Sequence, residues 1–199
     1  MKSEEIKQLN DTFNSELQQQ IEGILPAGHV YKMGNPSDIL KNAGLPDLPI
    51  EMASRRLVNK AMQENHPFEL SELMDIVLAL HNPLAIFRSA THIGSNVIMT
   101  KLMHDGKKNF VVAIETNRFQ GKLKVNSVRS IHYRNSEMNI IGWIADGLAD
   151  YFCKDFGKIW FEPTKNELQS KPQYNSVDVR KQLISAAKII ESFESTKDS

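Results

Sequence analysis

One cysteine in 199 residues is too few for an intramolecular disulfide, and Cys153 has no second thiol with which to build a multi-cysteine zinc site. No apolar run reaches the roughly 18 to 20 residues that a membrane-spanning helix needs, so no membrane association is expected. The chain opens on Lys2, Glu4 and Glu5, whereas a secretory signal has a basic segment followed by a greasy one. The expected compartment is the reducing cytoplasm. Also missing are a glycine-rich phosphate loop, a His-Glu-x-x-His pair, a calcium loop and a nucleophile elbow. With them go the metal- and nucleotide-dependent enzyme classes, and neither a metal nor a cofactor is expected. There is no internal repeat and no low-complexity tract.

What remains is the composition of an ordinary globular chain, 41% hydrophobic and 24% charged, of a length suited to one domain with additions. Its charge is neutral in sum, with 24 basic and 24 acidic groups, but uneven along the chain. Residues 1–80 carry 7 basic and 12 acidic groups, residues 81–134 carry 9 and 2, and residues 135–199 carry 8 and 10. A basic middle opposed only by Asp105 and Glu115 suits a surface that meets phosphate. It equally suits solvated strand edges, where lysine discourages aggregation.

The period of the hydrophobic pattern divides the chain. Ile6, Leu9, Phe13, Leu17, Ile21 and Ile24 recur at helical steps, so an N-terminal helix occupies the segment 1–28. His29 to Gly34 reads as a short strand, Ser37 or Asp38 caps a brief helix, and Gly44, Pro46 and Pro49 impose a turn-rich connection. Further helical patterns cover Ala53 to Gln63 and the stretch from Ser71 to Leu80. From residue 84 the period falls to two, giving strands over Leu84–Ala90, Asn96–Met103, Asn109–Thr116 and Leu123–Arg134, with a hairpin at Asp105-Gly106. Ser136 to Ala145 is helical, Ala149 to Cys153 is an edge strand, and residues 161–176 read as a linker before a C-terminal helix and tail over 177–199. Helices, then consecutive strands, then helices define an α+β domain over 29–160: N-terminal helices packed on a curved, mainly antiparallel sheet of four to five strands, plus terminal helices.

The last long strand holds the candidate chemistry. Its even positions are Lys124, Asn126, Val128, Ser130, His132 and Arg134, of which Asn126, Ser130, His132 and Arg134 form a polar row at about 7 Å per step on the side away from the helices. His132 can serve as a general base or acid near neutral pH, and Arg134 can hold two phosphate oxygens in a planar fork. Arg88, Ser89, Thr91 and His92, at the end of the first strand, make a second cationic and hydroxyl cluster that a meander could bring alongside. The plainer alternative makes Arg88 and Arg134 strand-end charges and His132 a solvated ring.

Four blocks carry a resemblance: Ala43-Gly44-Leu45-Pro46-Asp47-Leu48-Pro49-Ile50, Asn65-His66-Pro67-Phe68, Asn82-Pro83-Leu84-Ala85-Ile86-Phe87-Arg88-Ser89, and Val125-Asn126-Ser127-Val128-Arg129-Ser130-Ile131. Together with Trp143-Ile144 and Gly147-Leu148, the run from His29 to Lys154 resembles the C-terminal domain of phage MuF proteins. That domain also occurs in conjugative-element proteins and is assigned to the barnase, EndoU, colicin and RelE-like nuclease superfamily. The resemblance implies a toxin-like, metal-independent ribonuclease domain in which a base takes the ribose 2′ proton, the 2′ oxygen attacks the adjacent phosphate, and cations stabilise the added charge. Arg88 and Ser89 match the family's polar pair at that strand end, and Arg134 stands where relatives often carry lysine. His132 as the base is a reading of the residues alone.

The resulting expectation is a phage or mobile-element domain that cleaves RNA with His132, Arg134, Arg88 and Ser89, while Asn126, Ser130, Thr91, Lys124 and Arg129 bind substrate. The rival expectation is a non-catalytic module on the same fold that binds nucleic acid or a protein, such as a partner from the element's machinery or an immunity protein.

Overall fold

A computed structural model describes residues 1–61, 67–133 and 136–195. Helix α1 (Ser3–Ile21) buries Phe13 and Leu17, two of the positions that its sequence periodicity marks as apolar. Then come β1 (Val30–Lys32), α2 (Asp38–Asn42), β2 (Ile50–Ala53), α3 (Ser54–Ala61) and α4 (Ile76–His81). The sheet continues with β3 (Ala85–Arg88), β4 (Ser95–His104), β5 (Lys108–Gln120) and β6 (Leu123–Tyr133), and α5 (Glu137–Ala145) leads to β7 (Ala149–Phe152). Helices α6 (Glu162–Gln169) and α7 (Val177–Ser195) complete the chain.

These strands form one seven-stranded sheet in the order β1-β2-β6-β5-β4-β3-β7. Every neighbouring pair is antiparallel except β2 and β6. The α+β class and the mainly antiparallel sheet are as expected, and the sheet is larger than four to five strands. Strand β2 escapes the sequence pattern because its four residues, wedged between Pro49 and α3, are too few to establish a period. The β4–β5 hairpin turns where expected: Asp105 and Gly106 both take positive φ, 50° and 64°, as a two-residue turn with the twist of its strands requires.

Both faces of the sheet carry helices, whereas the sequence suggested one open face. On one face Ile50, Ile86, Ile98, Val112, Ile114, Val128 and Ile131 pack with Phe13 and Leu17 of α1, Leu57 of α3 and Leu80 of α4. On the other, Ala85, Phe87, Val97, Met99 and Val111 pack with Ile141 of α5, Leu168 of α6 and Ile190 of α7. The segment expected to be a linker therefore contributes a core helix. Pro163 does not prevent this: a π-helical turn, Gly157–Phe161, runs directly into α6, and such a turn departs from the regular i→i−4 ladder in which a proline would break a bond.

His81, at the end of α4, is buried, with its Nε2 2.8 Å from the Met33 carbonyl; the Ser37 hydroxyl donates to the His81 carbonyl at 3.2 Å. Its Nδ1 has no hydrogen-bond partner among the described residues. Burial is the main cause that lowers its pKa below the ordinary 6.5; the Met33 hydrogen bond and Glu5 oppose the shift, and the N-terminal amino group adds to it. The ring is thus held neutral in the fold while the unfolded chain takes up a proton at ordinary pH, so stability falls as pH drops below about 6.5. Urea denaturation from about pH 7 to about pH 5.5 is expected to show a loss approaching 1.4 kcal/mol per pH unit from this group. A His81→Gln variant is expected to have a flatter profile.

Candidate active site on the uncovered sheet surface

Two β-bulges decide what β5 and β6 present. Ala113 faces Ser130 and Ile114 faces Val128, so Arg129 is an extra residue on β6. Glu115 faces Ser127 and Arg118 faces Val125, so β5 takes an extra residue between them, where Asn117 adopts a positive φ of 56°. Each bulge reverses the alternation of side chains beyond it.

The expected polar row is consequently split. Asn126 is paired with Ile50 and lies two residues from Val128, so it belongs to the face of the N-terminal helices. Lys124 follows the same phase. Ser130 and His132 sit opposite Ala113 and Val111, on the face that carries α5, α6 and α7, where Ser130 is buried and His132 half-buried. Arg129 is exposed at the bulge, and Arg134 lies outside the described residues, as does His66. The uncovered, shared side imagined for Asn126, Ser130 and His132 does not exist, because the bulge at Arg129 shifts the phase between them.

Asn126 holds the framework. Its side chain is fully buried, and Nδ2 donates to the Pro46 and Leu48 carbonyls at 2.8 and 2.9 Å, while its backbone N–H donates to the Pro49 carbonyl at 2.9 Å. Two of the sequence blocks, 43–50 and 125–131, are thus stitched together by one amide. A substrate-binding role for Asn126 has no geometric basis.

Arg88, Ser89, Thr91 and His92 do gather, but far from His132. Arg88 lies level with Asn96, Ile114 and Val128 across the sheet, three strands from β6, or roughly 14 Å at 4.8 Å per strand. His132 is four residues further along β6. A groove of about 740 Å³ is lined by Arg88, Ser89, His92, Asn96, Asp150 and the end of α2. Arg88 donates to the Gly147 carbonyl, and its Nε lies 3.2 Å from an Asp150 carboxylate oxygen. Ser89 Oγ accepts from the Thr91 and His92 backbone N–H groups at 3.4 and 3.2 Å, and Thr91 Oγ1 lies 2.8 Å from His92 Nδ1. Burial raises the Asp150 pKa and Arg88 opposes the rise. The guanidinium and the Ser89 hydroxyl are therefore engaged in holding the loop and β7.

A different cationic cluster lies on the sheet surface beyond the reach of the C-terminal helices. The β5 bulge keeps Glu115 and Arg118 on one side: Arg118 Nη1 is 3.4 Å from Glu115 Oε1, and Arg129 Nη1 is 3.8 Å from Oε2. Arg56 of α3 donates to Ser127 Oγ at 3.0 Å and to the Val128 carbonyl at 3.2 Å, and Ser127 is the cross-strand partner of Glu115. Three guanidiniums from α3, β5 and β6 thus surround one carboxylate and one hydroxyl. Glu51, also nearby, is already paired with Lys32. Glu51, Ala53, Arg56, Arg118, Phe119, Val125 and Ser127 line a hollow of about 170 Å³ there. Sequence reasoning found Arg129 and missed Glu115, Arg118, Arg56 and Ser127. The sole available signal was Glu115 standing almost alone among the cations of the middle third.

One further trio, Glu72, His104 and Asp105, has ligand atoms within 4.8 Å of one another. Glu72 already accepts from His104 Nδ1 at 2.9 Å and from the backbone N–H groups of Glu69 and Asp105 at 2.9 and 3.4 Å. The His104 ring is stacked on Tyr133 with centroids 4.0 Å apart. That is a clip between a turn and the hairpin, and His104 Nε2 lies 3.3 Å from the exposed Asp105 carboxylate.

Residues 57–155 match the family model of the phage MuF C-terminal domain. This MuF-like segment runs from within α3 to just beyond β7, so it contains Glu115, Arg118, Phe119, Ser127 and Arg129, and Arg56 precedes it by one residue. No curated protein and no solved structure matched the chain. Among the described residues no helix is long and apolar enough to cross a membrane.

Replacing Asn126 with leucine removes the side-chain donor from the Leu48 carbonyl and from the Pro46 carbonyl, which keeps the Leu48 N–H at 2.8 Å. The expected cost is about 1 to 3 kcal/mol, read as a fall in the urea midpoint at unchanged slope. Thr91→Ala, which alters an exposed loop, is expected to shift the midpoint little.

Proposed function

We propose that the MuF-like domain is a metal-independent ribonuclease whose reacting centre is Glu115 with Arg118, Arg129 and Arg56. The observation that carries this reading is the pairing of two guanidiniums, Arg118 and Arg129, with a single partly exposed carboxylate, while a third, Arg56, holds the hydroxyl of the neighbouring Ser127. In the proposed reaction Glu115 takes the proton of a ribose 2′-hydroxyl, and the 2′ oxygen forms a bond to the adjacent phosphorus. The bond from phosphorus to the 5′ oxygen breaks, and that oxygen takes a proton from water at this solvent-facing site. The products are a 2′,3′-cyclic phosphate and a 5′-hydroxyl. Arg118 and Arg129, loosely paired with Glu115, can turn to the phosphate as its oxygens gain negative charge, and Arg56 and Ser127 line the same surface.

This assignment replaces His132 and Arg134 as the reacting pair and leaves Arg88 and Ser89 as structural residues of the neighbouring loop. The middle third of the chain keeps the phosphate-directed role that its charge suggests, through arginines on β5 and β6.

Labelled single-stranded RNA incubated with the protein in excess chelator is expected to be cut and to yield cyclic-phosphate ends. Glu115→Gln is expected to lower the rate by about 100-fold or more, and Arg118→Ala and Arg129→Ala by comparable factors, while His132→Ala retains the wild-type rate. RNA that is bound but stays intact with the wild-type protein would refute cleavage and favour the binding-module alternative.

A further inference from the structure

The β5–β6 ribbon extends past the bulge at Asn117 into a hairpin whose apolar side chains have nothing to bury them. Phe119 is 69% exposed and Leu123 72% exposed, beside Arg118, Lys122 and Lys124. Lys124 faces Phe119 across the ladder and holds its ammonium 5.5 Å from the ring centroid. An exposed aromatic ring flanked by cations gains little from being at a hairpin tip unless something covers it. Phe119 also lines the hollow shared by Arg56 and Arg118, so a flat apolar surface and two guanidiniums adjoin one cavity.

Charge selects the occupant. The tip and its approach carry Arg56, Arg118, Lys122, Lys124 and Arg129 against Glu115 and Glu51, and Glu51 brings its own cation, Lys32, so the excess is positive. A polyanion with flat apolar rings along its length matches both features, because bases stack on aromatic side chains while cations track the backbone. Duplex stacking hides those base faces, so a ring of this kind can engage a strand whose bases are unpaired.

We infer that Phe119 is a base-stacking platform and that the β5–β6 hairpin holds a single-stranded segment of RNA, one nucleotide resting on the ring with its phosphate against Arg118. The choice of RNA rests on the cleavage reading above; the stacking itself does not. It makes the substrate class single-stranded and places a specificity contact beside Glu115.

The test uses the full chain and a labelled 2′-O-methyl RNA oligonucleotide, which lacks the 2′-hydroxyl needed for cleavage, so binding is measured apart from chemistry. By fluorescence anisotropy the wild-type protein is expected to prefer the single strand to the same sequence as a duplex. Phe119→Ala is expected to weaken the single-strand complex by about 5- to 100-fold and to leave duplex binding almost unchanged. Phe119→Trp is expected to restore affinity and to show quenched indole emission on binding, above the background of Trp143 and Trp160. Because the ring is exposed, neither substitution should alter the urea midpoint, which verifies the fold. Equal affinity for duplex and single strand, preference for an acidic polypeptide such as polyglutamate, or an unchanged Phe119→Ala complex would overturn the inference. Phe119-dependent binding by a protein that cuts no RNA would uphold it while the cleavage proposal fails. Cleavage with an unchanged Phe119→Ala complex would do the reverse.

Discussion

Between Ala113 and Arg118 the pairing of β5 with β6 changes register twice, once for an extra residue on each strand. A ladder with a strict period of two would send Ile114, Val128 and Ile131 to different faces. The extra Arg129 lets Val128 and Ile131, three apart, both enter the core under the N-terminal helices. The extra residue on β5 keeps Glu115 and Arg118, also three apart, within reach of each other. Burial of these branched side chains, each stabilising by about 1.5 to 3 kcal/mol, is what enforces the phase. The polar cluster is where it is because the apolar side chains around it have fixed places.

The two cores set the extent of the exposed surface. Strands β3 and β4 and the part of β5 around Val111 are covered on both faces, which accounts for their unbroken apolar stretches. Helices α5, α6 and α7 reach no further, and the ribbon formed by the far ends of β5 and β6 projects beyond them. Charged groups there keep their water, so two guanidiniums can share one carboxylate without the desolvation cost that burial would impose. The loop bearing Arg88 and Ser89 is joined to this region through Gly94, whose carbonyl accepts from the Thr116 backbone and hydroxyl at 3.2 and 2.8 Å. That loop supports the ribbon at the point where it leaves the covered sheet.

Much of the fold was legible in the sequence. The change of period at residue 84, the Asp105-Gly106 turn and the apolar stripe of α1 follow from local rules, since strand alternation, positive φ and helical spacing are written into neighbouring residues. The candidate site was legible only as a tendency: a basic middle third and a polar strand beside it. The particular row of Asn126, Ser130 and His132 was misread, because a bulge is a property of two strands together and leaves no trace in one strand read alone. Arg56 was invisible for a similar reason, since only the packing of α3 beside β6 brings it to Ser127. The 161–176 segment was misread because its polar run and Pro172 suggested a connection, while the residues before that proline form α6 and bury Leu168.

By itself the sequence determined the α+β class, the order of helices and strands, and a positive charge concentrated in the sheet, because propensity, periodicity and composition act within a few residues. Tertiary structure alone decided that α5 to α7 cover the second face, that Asn126 clasps the 46–49 turn, that Arg118 and Arg129 meet at Glu115, and that Arg56 reaches Ser127 beside them. Those outcomes depend on register and packing between segments distant in the chain, where one added residue carries a side chain from one face of the sheet to the other.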